Sequence, residues 1–223
     1  MRCHSTSGNL PLSGGQRDFL WSPERRLGEL YAPNLTPAGT IASWSDGEVG
    51  RAIREGADSA GRALLGHPAS DYKVMSDGDV TALIGYLRAQ QAVPSATPSR
   101  TINLLGVLLI GIGQFPVSVE SPVVDPSSTP SLGRTPERGR YLVAISGCRD
   151  CHGTDLQGGP QQFPPDLIAI AAAWTDAEFV QTLRTGKNPL GGAVGPQMPW
   201  QDFARVYSDD ELAAIYVYLQ SLS

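Results

Sequence analysis

Cys148, Cys151 and His152 stand in the order C-x-x-C-H within CRDCHG at residues 148–153. Two thiols three positions apart reach the two vinyl groups of a porphyrin, and a histidine beside the second thiol is held against the iron as an axial ligand. The spacing is therefore that of a c-type haem attachment site. Two other uses compete with it, a redox-active C-x-x-C and one half of a zinc site. Zinc needs a second pair of Cys or His at ligand spacing, and the sequence has none.

The remaining composition restricts what such a site serves. The chain has 223 residues with 41% hydrophobic and only 17% charged side chains, together with 25 Gly and 18 Pro, which describes a loop-rich globular protein with room for two small domains. Seventeen basic against twenty-two acidic residues give a net charge of −5, so no basic footprint exists for a nucleic-acid backbone. Three cysteines are too few for a disulfide scaffold. No basic-then-apolar leader follows Met1.

The two halves of the chain repeat each other. Cys3-His4 matches Cys151-His152, Leu12 to Gly15 matches Leu156 to Gly159, and Pro33 matches Pro165. Trp44 and Trp174, His67-Pro68 and Met198-Pro199, and Tyr86-Leu87 and Tyr218-Leu219 follow at offsets of 130 to 132 residues. A duplication this regular predicts two similar domains. Between them, residues 91–133 carry repeated Pro with Ser and Thr, the composition of an extended linker. Inside it, the uncharged apolar run 102–115 is too short to span a bilayer as a helix. It is expected to pack on the domains or to touch a membrane surface or a partner. The expected division is 1–90, 91–133 and 134–223.

Both halves read as helical. Ser45 and Thr175 each precede a Glu by three positions, predicting capping boxes, with helices that run to Gly56 and Gly186. Ser76 and Ser208 cap a last helix in each half, with the apolar stripes Val80, Leu83, Ile84, Leu87 and Leu212, Ile215, Tyr216, Leu219. One more helix is predicted over 137–145, behind Pro136, and no strand is predicted. Trp44 and Trp174, just before capped helices, read as packing residues rather than electron relays.

With these residues in place, the chain resembles the class I cytochrome c superfamily, and within it the dihaem and multihaem c-type subunits that serve membrane-bound dehydrogenases. The resemblance rests on CRDCHG, on L-x-G-G at Leu156 to Gly159, on P-x-L at Pro165 to Leu167, on WTDAEF at 174–179 and on QMPW at 197–200. It implies an all-α fold of two tandem cytochrome c domains joined by the Pro-rich linker. It also implies that Met198 is the distal iron ligand opposite His152, and that the carbonyls of Pro33 and Pro165 orient His4 and His152. The first half departs from the pattern twice. A complete motif would place a cysteine and a helix before Met1, so only Cys3 and His4 are available there, and the expectation is a longer natural chain with an export signal upstream. His67 stands where Met198 stands, which makes it the expected distal ligand opposite His4, with Met75 as the alternative.

What the resemblance implies is an electron carrier with two haem c groups, not itself an enzyme, placed in the periplasm or on the outer face of the cytoplasmic membrane. Its expected partners are a dehydrogenase subunit or an oxidase. The competing readings are a catalytic dihaem enzyme, such as a peroxidase or a sulfur-oxidising enzyme, and a haem-based sensor.

Overall fold

The structure, a computed structural model, describes residues 3–6, 10–16, 18, 20, 27–114, 119–123, 128–159 and 164–223. Met1 and Arg2, at which the sequence was expected to be incomplete, lie outside the described residues, as does Phe115 at the end of the apolar run. The chain forms two compact units, Met1–Ser128 and Thr129–Ser223. Both are mainly helical. The single sheet among the described residues is an antiparallel pair of two-residue strands, β1 (Gly28–Glu29) and β2 (Thr101–Ile102), so the fold class is all-α.

In the first unit, α1 (Asp46–Glu55) starts at a capping box. Ser45 accepts from the Glu48 amide while Glu48 accepts from the Ser45 amide, and the helix ends at Gly56 in the left-handed region, φ 68°. A short α2 (Ala69–Tyr72) follows, then α3 (Asp77–Arg88), capped by Ser76. The Pro-rich stretch is extended but largely tied to this unit. Asn34, 1% exposed, donates from Nδ2 to the carbonyls of Val93 (2.9 Å) and Ser95 (3.1 Å), while its own amide donates to Thr97 Oγ1. Further along, the Glu120 amide donates to the Glu55 carbonyl and Lys73 reaches both Glu120 and Ser121. Between these ties lies α4 (Leu104–Gly111), the helical part of the apolar run.

In the second unit, α5 (Pro136–Ile145) has Thr135 as its cap and Pro at its first position, where the missing N–H costs nothing. The one-turn α6 (Cys148–His152), α7 (Leu167–Ala173), α8 (Asp176–Thr185), α9 (Trp200–Val206) and α10 (Asp209–Gln220) complete it. Helices α5 and α10 cross at Gly139. A Cβ there would stand 2.0 Å from the Ala214 carbonyl oxygen and 2.6 Å from Tyr218 Cβ, so only glycine permits this approach. Arg138 seals the crossing by donating to Glu211 at 2.7 Å, and Arg134 ties Asp176 to Asp210. The core beneath comprises Leu142, Val143, Leu156, Phe179, Leu183, Leu212, Ile215 and Leu219 among others, with Trp174 packed against it.

Candidate functional site

Gly147, at φ 67°, releases the chain from the end of α5 into α6, so that Cys148, Cys151 and His152 are carried on one turn. His152 is buried, and its Nδ1 donates to the Pro165 carbonyl at 2.8 Å. That bond fixes the tautomer and leaves Nε2 as the ring's free lone pair, the arrangement that presents a histidine to a metal. The Pro165 carbonyl is itself held: Leu167 N donates to Leu156 O, and Gly159 N donates to Pro164 O. Neither Cys148 nor Cys151 is in a disulfide. Cys148 and Met198 both pack against the core of the second unit. Two residues before Cys148, Ser146 bonds the Tyr207 hydroxyl at 2.6 Å, and burial pushes the Tyr207 phenol up from its ordinary value. Among the described residues, no group of three or more His, Cys, Asp or Glu side chains gathers as a metal cage.

The first unit repeats the bonds around the histidine. His4 Nδ1 donates to the Pro33 carbonyl at 2.8 Å, Gly14 N to His4 O, Gly15 N to Ala32 O, and Leu35 N to Leu12 O. Their counterparts are the His152–Pro165 bond, Gly158 N to His152 O, Gly159 N to Pro164 O, and Leu167 N to Leu156 O. The bridges Ala57–Ala63 and Lys187–Ala193 also correspond. Cys3 is exposed and not in a disulfide.

His67 lies close enough to His4 for the charge of one to disfavour charging the other. Burial, aided by this repulsion, pushes the His67 pKa down to about 4, and burial also lowers that of His4. Both rings are therefore neutral near pH 7, the form that ligates a metal. His67 Nδ1 is buried without a hydrogen-bond partner. Tyr72 stands edge-on to the His67 ring at 5.8 Å between centroids, a contact that no motif in the sequence announced. Met75, the alternative ligand, is buried, and its carbonyl accepts from Arg54, as that of Tyr207 accepts from Arg184.

These donors fit a covalently attached haem: two thiols and an oriented imidazole on one turn, and a thioether packed on the same core. Residues 136–223 match the family model of Cytochrome c. Over 99% of its length the chain is 26% identical to "Alcohol dehydrogenase (quinone), cytochrome c subunit" of Gluconacetobacter polyoxogenes, covering 52% of that protein. It is 27% identical, over 99% of its length and 56% of the relative's, to "Gluconate 2-dehydrogenase cytochrome c subunit" of Pantoea cypripedii. To "Fructose dehydrogenase cytochrome subunit" of Gluconobacter japonicus it is 26% identical over 88% of its length and 45% of the relative's. The chain thus spans about half the length of these relatives. Residues 136–223 thus match a cytochrome c domain, and the chain as a whole resembles such subunits.

Proposed function

We propose that this protein relays electrons from a dehydrogenase subunit toward the respiratory chain through two haem c groups, one in each unit, outside the cytoplasmic membrane. In this reading the chain holds two tandem cytochrome c domains, residues 1–90 and 134–223, with the Pro-rich 91–133 between them. In the second domain, Cys148 and Cys151 would attach the group as thioethers, and His152 and Met198 would bind its iron. In the first, Cys3 and His4 would hold the group, and His67 would supply the further iron ligand.

A bound haem supplies a one-electron iron couple. The protein's residues position it. Pro165 holds the His152 ring in one tautomer, and the hydrogen bond raises the ring's basicity. Met198 offers a neutral sulfur that favours the ferrous state, and the packed side chains of the core exclude water. The observation that carries the reading is the His152 Nδ1 bond to Pro165 beside the C-x-x-C pair, repeated between His4 and Pro33.

The test is to isolate the protein from its native host with whatever it binds, and to add alcohol, ketose or aldonate substrates. Substrate-dependent reduction of its haem, with ferrous protein that does not bind carbon monoxide, is the expected result. Haem that only dithionite reduces would contradict the relay. Carbon monoxide binding at full occupancy would favour the catalytic dihaem reading instead.

A further inference from the structure

Helix α4 is unlike every other long helix among the described residues. Leu104, Leu105, Val107, Leu108 and the C-cap Ile112 are exposed by 86%, 45%, 54%, 57% and 61%. At 100° per residue these five side chains cover an arc of about 160°, with no polar side chain among them. Gly106, on the opposite side, is buried against the Leu27 carbonyl and Ile102, where a Cβ would clash at 2.6 and 2.7 Å. The helix therefore lies flat on the first unit with its apolar arc outward, and the protein body takes the place of the polar face that an isolated interfacial helix would need.

It is also firmly mounted. The strand pair Gly28–Glu29 with Thr101–Ile102 holds the chain before it, and the Asn103 amide donates to Leu27 O. Asn103 caps the helix through the Gly106 amide at 2.9 Å. On the far side, Glu120 is tied to the Glu55 carbonyl and to Lys73. A segment so tied on both sides presents its apolar arc in a defined place, and the Asn103 side chain gives the Gly106 amide a partner at the helix start.

We propose that this arc inserts into one leaflet of a lipid bilayer and fixes the first unit to the membrane surface. Charge decides for lipid over protein. No charged residue occurs between Arg100 and Glu120, and the exposed arc has none of the Trp, Tyr or Arg anchors around which protein interfaces are built. Eight residues rise about 12 Å, less than half of a hydrocarbon core of about 30 Å, so the helix lies in the surface and does not cross. No helix among the described residues is long and apolar enough to cross a membrane. The inference deepens the membrane-side placement proposed above but does not depend on haem, because α4 carries no ligand.

Vesicle flotation with the purified full-length protein tests it, with haem content measured on the same samples. The protein is expected to float with neutral phosphatidylcholine vesicles and to keep floating in high salt, since no basic cluster takes part. Leu104→Glu combined with Leu108→Glu should lower the partition at least tenfold, and Leu108→Gln alone should lower it measurably. The control Leu190→Glu, at an exposed leucine of the second unit, should change it less than twofold. Unchanged circular dichroism certifies the fold of each variant, and Leu108→Gln serves should the double variant fail it.

Failure of the protein to float, flotation of a folded α4 variant at the unaltered level, or binding that needs anionic lipid and disappears in salt would each overturn the proposal. So would α4-dependent self-association without flotation, which would assign the arc to a second copy. A protein that floats but carries no haem would leave this inference standing and overturn the electron relay.

Discussion

His67 and Met198 hold the same backbone position, each within its own unit. The amide two residues on donates back to each carbonyl, Ala69 N to His67 O and Trp200 N to Met198 O, both at 2.9 Å. Each is followed by a proline that opens a short helix with nearly the same conformation, φ −82° and ψ 58° at Pro68, φ −81° and ψ 49° at Pro199. The frame is thus constant and the side chain alone differs, imidazole in one unit and thioether in the other.

On the proposed two-haem reading, two distinct midpoints follow from that difference. A thioether stabilises ferrous iron relative to a second imidazole, so the His4/His67 group should titrate at a lower potential than the His152/Met198 group. His67→Met should raise the lower midpoint in a spectroelectrochemical titration and leave the upper one nearly fixed. If His67→Ala leaves the first haem's spectrum and midpoint unchanged, His67 is not its ligand.

Gly139 controls the crossing of α5 and α10. Gly139→Ala places a methyl group against the Ala214 carbonyl and should cost about 1–3 kcal/mol of stability as the helices part. Gly85→Ala, in α3 with nothing within 4 Å of the new Cβ, should instead stabilise by about 0.5–1 kcal/mol. Thermal melts of the two variants that move in the same direction would contradict the packing described.

The Arg138–Glu211 pair makes stability depend on pH. Burial raises the Glu211 pKa, but bonds from the Ser208 amide and from Arg138 outweigh it, and the net value falls below the ordinary 4.5. A carboxyl depressed in the folded state adds stability above its unfolded pKa and loses it as pH falls through the folded value. Glu211→Gln should therefore cost about 1–2 kcal/mol near pH 7, and the deficit should close in acid. A deficit independent of pH would show that the carboxylate charge contributes nothing.

Local chemistry is what the sequence made readable. Ser45 with Glu48, Thr175 with Glu178 and Ser208 with Glu211 each bond within three residues, so their helices stand where the caps predict. Helices α2 and α9 open at prolines with no side-chain cap and gave no such signal. The path of the Pro-rich stretch depends on Asn34 meeting Val93 and Ser95 some sixty residues away. Its repeat partner Asp166, lacking amide donors, instead caps α7. Composition alone does not encode that contact, nor does it say which side of α4 turns outward. In the site, the histidine and cysteine spacing was legible because covalent chemistry dictates it. The contact of Tyr72 with His67 depends on tertiary packing and was not.

The measurement closest to the central claim is the mass of the peptide that contains residues 148–152, taken from denatured, digested protein produced with a c-type maturation system. Haem carried covalently by that peptide, and lost when Cys148 and Cys151 are both replaced by Ala, is the predicted result. Recovery of the peptide with two unmodified thiols from protein that contains haem would contradict the account.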